Sequence, residues 1–577
     1  MEAATHQPHR KHGGWKTMPY ILGNETFERL ASFGLLANFM VYLMNEFQLD
    51  QVTAINIINI WSGTANFSPL LGAFICDAYL GRFRTLAFAS IASFLGLLAL
   101  TLTAVVPALH PPTCSKQQHP SNPCVGPTTD QLGFLFLGLA FLTIGTAGIR
   151  PANIPFGVDQ FDPTTEKGKK GINSFFNWSY ASFTVVIMIS MTLIVYIQTS
   201  ISWALGLGLP TAFMGFSIVL FWLGTRLYVY VPPEGSVFSG IGQVFVAAFH
   251  KRHLKLPPKE EVHGLLYDPP MRGPTISKLP LTHHFRCLNK AAIVVDGDIK
   301  PDGSRSEPSR LCSIQQIEEV KCLIGIVPLW ASNIICFLSI AQQGTFTLSQ
   351  ALKMDRHLGP KFQIPAGSMA IISMLTLGIW IPIYDRIVVP SLRRITKHEG
   401  GITLLQRIGI GMLFSIMSMV VAGIVERKRR ALAITHAQPM SVFWLAPQLI
   451  LMGFCEAFNI IGQIEFYYKQ FPEHMKSIAN SLLSCTIALA NYLSSLLVMI
   501  VHHKTKKHGH DWLDNDINAG KIDYFYFLIA ALGVLNFIYF LICAYGYHYK
   551  NSTTTSGQVA GENEHVDIEL NSTKHLS

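Results

Sequence analysis

Apolar residues along this chain come in long blocks rather than in the short periodic runs of a soluble core. Blocks near 18–44, 51–79, 85–108, 131–153, 172–199, 203–231, 321–347, 366–389, 403–425, 441–468, 477–502 and 523–547 are each largely apolar. Each reaches the length of about 20 residues that a helix needs to cross the hydrocarbon of a bilayer. The pattern predicts twelve transmembrane helices, six on either side of a polar stretch from Pro232 to Glu319. The expected organisation is a tail over 1–17, a six-helix half over 18–231, a linker over 232–320, a second six-helix half over 321–549 and a disordered tail over 550–577.

Two six-span halves joined by a long connector predict an all-α membrane protein with the major facilitator fold. In that architecture solute binds between the halves near midplane. No direct repeat between the halves is visible, so the prediction rests on segment count. Basic residues of short loops set orientation. Arg82, Arg84, Lys167, Lys169 and Lys170 fall on the side of the linker and N-terminus, opposite only Lys116, and place both termini and the linker in the cytoplasm. Arg427, Lys428, Arg429 and Arg430, then Lys504, Lys506 and Lys507, fall on the other side and conflict with that assignment.

Composition agrees with a membrane protein. Half of the 577 residues are hydrophobic, 14% are charged and the mean hydropathy is +0.33, against about 25% charged in soluble domains. Met1 to Trp15 is polar and carries no apolar core of a secretory signal. The net charge of +9 is spread over loops without a basic, aromatic-bearing stripe, which excludes a nucleic-acid partner. The ten cysteines form no metal-ligand spacing, so no metal site is expected. Cys114 and Cys124 share one short loop and are candidates for a disulfide if that loop is extracellular; the other cysteines read as small hydrophobes. No nucleophile elbow, Walker sequence or HExxH is present, so neither an enzyme nor an ATP-driven pump is expected.

The first apolar block holds Glu25, Glu28 and Arg29, spaced so that all three share a helix face. A charge at mid-membrane costs at least roughly a few kcal/mol and faces a water-filled path or a partner. Two carboxylates beside one guanidinium leave an acid able to bind and release a proton, the chemistry of a proton-driven carrier.

Between the second and third blocks, Gly72-x4-Asp77-x3-Gly81-Arg82-x-Arg84 resembles the loop signature of the major facilitator superfamily. The glycines would allow close helix approach, and Asp77 with the arginines would form a charge relay that holds one conformation shut. Glu25-x-x-Glu28-Arg29 resembles the signature of proton-dependent oligopeptide transporters, including the plant nitrate/peptide transporter family. The resemblance extends over nearly the whole chain through Phe156-Gly-Val-Asp-Gln-Phe-Asp162, Phe175-Phe-Asn177, Pro382-Ile-Tyr-Asp-Arg386, Pro390-Ser-Leu-Arg-Arg394, Leu405-Gln-Arg-Ile-Gly-Ile-Gly411 and Asp523-Tyr-Phe-Tyr-Phe527. Within the family the chain is most similar to the subgroup of low-affinity nitrate and glucosinolate carriers, through Ile21–Arg29, Gln350–Arg356 and Gly453–Gln463.

The resemblance implies several site residues. Arg150 on the fourth helix and Glu456 on the tenth would form an inter-half salt bridge that makes and breaks between conformers; Glu465 lies nearer the helix end, in solvent. On the seventh helix the family's nitrate-binding histidine is replaced by Ile340, so an anion would be met by Arg29 or Arg150 with Ser339, Gln342 or Asn459. Thr85 matches a threonine phosphorylated in one relative, which implies a regulatory kinase, although a plain helix-start role is the simpler reading. Phosphate there would be favoured by the helix dipole.

The expected function is proton-coupled symport of small anionic solutes, low-affinity nitrate first, with glucosinolate-like metabolites and plant hormones as alternatives. A nitrate sensor or a channel-like protein is the rival class. No cofactor is implied, protons being the coupling ion. The partners are a small-molecule solute, protons and the lipid bilayer. The plasma membrane is the family's usual location, with the vacuolar membrane as alternative, and the sequence leaves the oligomeric state open.

Overall fold

A computed structural model describes residues 13–547 except 113–124, 163–164, 232–236, 257–265, 270–278, 280, 283, 302–303, 361, 398–400, 436–438, 472–475, 508 and 510. Cys114, Cys124 and the tail over 550–577 lie outside the described residues.

Twelve long helices carry the fold. The first half comprises α1 (Met18–Asn45), α2 (Gln51–Ile75), α3 (Arg82–Val105), α4 (Thr129–Val158), α5 (Glu166–Ile189) and α6 (Trp203–Leu223). The second comprises α7 (Ile314–Leu352), α8 (Ile371–Ile383), α9 (Leu404–Thr435), α10 (Ala446–Gln470), α11 (Lys476–Lys507) and α12 (Ile522–Tyr545). Among the described residues, ten spans are long and apolar enough to cross a membrane. The remaining two, α1 and α2, are the polar ones: α1 carries Glu25, Glu28 and Arg29, and α2 carries Gln51, Asn56, Asn59 and Asn66.

Local chemistry sets the helix starts. Asp50, Thr128, Thr165 and Ser313 each accept a hydrogen bond from a first-turn amide, and Thr128 and Ser313 form full capping boxes with Gln131 and Gln316. At the end of α2 the chain winds through a wider turn over Cys76–Leu80 and leaves at Gly81 with φ +75°, a left-handed conformation that disfavours a side chain. Gly72 faces the Ala147 backbone of α4 so closely that a Cβ would overlap the carbonyl oxygen.

Within each half the helices bury a shared apolar core. Among the described residues the main contact between the halves runs along one face. There α2 packs on α11, and α1 together with Ser190–Ile194 meets the 3₁₀ segment Ala366–Ala370. The hydrogen bonds across this seam are neutral: Asn59 to Ser494 (2.8 Å), Ser495 to Asn56 (2.7 Å), the Gln51 amide to Asn515 (3.0 Å) and Ser368 to the Met191 carbonyl (2.6 Å). This closed face lies opposite the linker.

Three expectations need correcting. The polar stretch over 232–320 is not simply a hydrophilic connector. Its helix Val237–His250 packs Val244 and Ala247 with Leu288, Ala291 and Ala292 against Ile314, Ile317 and Val320 at the foot of α7. Two buried pairs pin this small core, Lys251 to Asp298 and Lys321 to Glu318, both at 2.7 Å. The α7 helix accordingly begins at Ile314, inside the expected linker, because its apolar first turn has that core to face.

Second, the basic run 427–430 belongs to α9, which continues to Thr435. Arg429 turns inward and pairs with Glu426 at 2.8 Å, both side chains being fully buried. Lys428 lies over the Trp444 ring, and Arg430 donates to the Asn518 carbonyl. Third, Lys504, Lys506 and Lys507 occupy the last turn of α11, where the helix dipole favours cations. Lys428, Arg429 and Arg430 are thus engaged within the fold, whereas Arg427, Lys504, Lys506 and Lys507 are exposed and keep the orientation conflict in place.

Candidate functional site

Glu25, Glu28 and Arg29 lie together on α1, as their spacing requires. Arg29 pairs with Glu25 one turn back and also lies 4.7 Å from the centre of the Phe183 ring. The other Glu25 oxygen accepts from the Ser179 hydroxyl of α5 at 3.1 Å. Glu28 accepts from Ser32, one turn on, at 2.8 Å. Both carboxylates are buried, while Arg29 is about a quarter exposed.

Arg150 of α4 adds a second guanidinium near Glu28 and Arg29. It is solvent-exposed although it sits well inside a membrane-spanning helix, so water reaches it through the cleft between the halves. Since the halves are joined on the opposite face, that cleft opens towards the linker. Arg150 donates to Asn66 on α2 at 3.1 Å. Glu456, buried on α10, forms no ion pair among the described residues. The expected Arg150–Glu456 bridge is therefore open in this conformer. Glu465 pairs with Arg407 at 3.1 Å and Lys469 at 2.8 Å, so it is held by cations rather than left to solvent.

A cavity of about 220 Å³ lies between the halves. Leu36, Met40, Asn59 and Ser62 line it from the first half, and Phe337, Ile340, Thr345 and Asn491 from the second. Its lining holds no charged side chain. Ile340 faces this cavity, but the other pocket candidates do not line it. Ser339 is buried, Gln342 donates to Ser494 at 2.8 Å, and Asn459 donates to Asn333 at 3.0 Å.

The loop after α2 differs from the expected relay. Arg82 pairs directly with Asp159 at the end of α4, while Asp77 stays within electrostatic reach of Arg82 without a direct ion pair among the described residues. Arg84 makes no ion pair among the described residues. Thr85 is buried and its hydroxyl donates to the Gly81 carbonyl at 2.9 Å, so a kinase does not reach it in this conformer.

Sequence reasoning missed Ser179, Asn153 and the Glu426–Arg429 pair. Asn153 follows Arg150 by three residues and so shares its face, a signal that was readable. Ser179 is a contact between distant segments and had none. Glu426 stands three residues before Arg429, the spacing of a helical ion pair, but it falls just past the apolar block 403–425.

Comparison with known proteins fits this arrangement. A family model described as "PTR2: POT family" matches residues 83–513. The chain belongs to the POT family. It is 58% identical over 547 residues to "Protein NRT1/ PTR FAMILY 2.13" of Arabidopsis thaliana, covering 94% of this chain and 88% of that protein. It is 54% identical over 568 residues to "Protein NRT1/ PTR FAMILY 2.12" of the same plant, covering 98% and 97%. Among solved structures it resembles an auto-inhibited POT family peptide transporter, with TM-score 0.70, 20% identity and coverage of 94% of this chain and 99% of that one. The POT family transporter PepTSo gives TM-score 0.68 at 19% identity over 92% and 98%. This POT-family protein thus has the major facilitator architecture and is a proton-coupled transporter of the NRT1/PTR branch, not an enzyme.

Proposed function

We propose that the protein is a symporter that draws an anionic solute through the membrane with protons, using Glu25, Glu28 and Arg29 as its coupling group. The observation that carries this reading is the gathering of two carboxylates and two guanidinia, those of Arg29 and Arg150, inside one half and beside a water-accessible cleft. Protonation of a carboxylate loosens Arg29 and leaves positive charge to meet an anion. Closure of the linker side then brings Arg150 towards Glu456, whose opposite sign compensates a charge otherwise costly to bury.

Nitrate at low affinity is the first substrate in this reading. A second reading, transport of a glycosylated or anionic metabolite of glucosinolate type or of a plant hormone, is favoured by the uncharged lining of the inter-half cavity, with Ile340 in place of an imidazole. The plasma membrane with cytoplasmic termini and linker is the proposed setting, the vacuolar membrane the alternative. A nitrate sensor switched at Thr85 would need a conformer that exposes its hydroxyl. A channel would conduct without saturating.

Oocyte currents with nitrate and with a panel of glycosides, at acid and neutral pH, test these readings. Saturable, acid-stimulated nitrate current supports the first. Glycoside accumulation without nitrate current replaces it by the second.

A further inference from the structure

A second cavity, of about 520 Å³, shares no lining residue with the one between the halves described above. Thr192, Leu193 and Tyr196, on the continuation of α5 to Ile201, form its wall from the first half. The second half supplies Phe362 and Ile364 of the hairpin before α8, then Ser368 and Ile372 at the head of α8. Its size falls within the roughly 300–1,000 Å³ of small-molecule sites. Both walls run out into lipid. Leu193 continues the exposed apolar stripe of Val185 and Ile189, and Ile372 lies one turn before the exposed Leu375 and Ile379. These stripes belong to Ser182–Ile201 and Ala366–Thr396, segments long and apolar enough to cross a membrane. The mouth therefore opens sideways into the bilayer, and what reaches it is dissolved in lipid.

The lining narrows the chemistry of an occupant. Among the described residues no charged side chain lines the cavity, so nothing there would hold a phosphate or a carboxylate. Arg356, across the hairpin, donates to the Ile364 carbonyl at 3.2 Å and is not part of the lining. Tyr196 and Phe362 stack across the seam with ring planes 20° apart, one flat aromatic wall built from both halves. The Thr192 and Ser368 hydroxyls donate to the Met188 and Met191 carbonyls, each at 2.6 Å. Their protons are committed, while their oxygens can still accept from one hydroxyl. A rigid, uncharged ring system with a single hydroxyl suits such a site. An acyl chain would lose more conformational freedom on entering it.

We propose that this cavity is a sterol site, and that a sterol seated in it holds shut the face of the transporter opposite the linker. One wall comes from each half, so opening this face pulls the cavity apart. A ligand that binds one conformer better shifts the population towards that conformer. Sterol should thus favour the linker-open state and slow uptake without competing for the solute's cavity. The inference rests on alternating movement of the halves, not on the α1 acids or on which solute is carried.

The test places the full-length protein in phosphatidylcholine nanodiscs with a sterol probe that carries a photoactivated diazirine. Labelling should saturate, fall on addition of unlabelled sterol, and map by mass spectrometry to peptides holding Leu193 or Ile372. Ile372→Trp fills the mouth and should lower labelling by about tenfold through overpacking. Ile379→Trp, exposed on the same stripe but outside the cavity, should label as wild type. Should Ile372→Trp fail to fold, Leu193→Trp closes the mouth from the other half and takes its place. Spin-label distances across the linker-side ends of α4 and α10 should move towards the open value as sterol is added, except in Ile372→Trp. Labelling that does not saturate, or that is equal in the two Trp variants, overturns the proposal. So does a fatty-acid probe that displaces the sterol at equal concentration, which makes the occupant a lipid tail. Saturable labelling with unmoved distances overturns the hold on the seam. None of these readouts needs transport, so a failure of the symport reading would show in uptake alone and leave them unchanged.

Discussion

Arg150 donates to the Asn66 side-chain oxygen at 3.1 Å, while Glu456 across the cleft stands outside any ion pair among the described residues. The guanidinium is thus satisfied within its own half while the linker side is open. Asn66 supplies a neutral acceptor that can be exchanged for a carboxylate when the halves approach.

Asn66→Ala removes that acceptor in the open state and leaves Glu456 available in the closed one. At a solvent-exposed site such a hydrogen bond contributes about 0.5–1.5 kcal/mol, so the equilibrium should move towards closure by about two- to tenfold. Spin-label distances across the linker-side ends of α4 and α10 would report it. Unchanged distances would show that Asn66 does not bias the cycle.

Glu28→Gln keeps the shape of the side chain and removes its titration. The variant should reach the membrane in normal amount but lose acid-stimulated uptake, with residual transport flat across pH. Persistence of the wild-type pH profile would place the coupling proton elsewhere.

Arg429→Ala leaves Glu426 buried without its cation, and breaking a buried pair on one side costs about 3–5 kcal/mol. Gln350 also donates to Glu426 at 2.8 Å, but it cannot neutralise the charge. A marked fall in thermal unfolding temperature in detergent is expected. Replacing Glu426 and Arg429 together by Gln and Met should recover most of that loss, because no lone charge then remains.

At the α7–α8 connection, Asp355 accepts from the His357 ring at 2.6 Å and from its amide at 3.1 Å, which holds the Asp355 carboxyl below its ordinary value. The backbone of Asp355 also bonds Met440 and Val442, tying the short hairpin of His357–Leu358 and Phe362–Gln363 to the segment that leads into α10. A lowered folded value means that the contribution is complete above the unfolded value of about 3.9 and fades as pH falls through the lower folded one. Hydrogen exchange, corrected for intrinsic pH dependence, should therefore find the hairpin amides equally protected from neutral pH down to about that value. Asp355→Asn should loosen them already at neutral pH.

The long apolar blocks made the twelve helices legible, because crossing a bilayer imposes a length that few soluble helices share. Their ends were less readable. The α9 and α11 helices extend beyond their apolar stretches since Arg429 finds Glu426 and the lysines of α11 lie at its negative end, so charge did not mark a boundary. The foot of α7 was hidden because its apolar neighbours, such as Val244 and Leu288, come from a stretch that is polar on average. At the site, Glu25, Glu28 and Arg29 declared themselves by sitting in an apolar block. Ser179 could not, since an isolated serine in a span usually bonds its own backbone, and only the packing of α5 on α1 gives it another partner.

The seam that shuts one face of the protein is stitched by amides and hydroxyls, among them Asn56, Asn59, Ser494 and Ser495. Because none of these groups carries a formal charge, neither ionic strength nor the electric field across the bilayer has a direct hold on unfastening it. Whatever electrical sensitivity the working cycle possesses must then originate with the handful of ionised groups in the cleft and with the ions that travel past them.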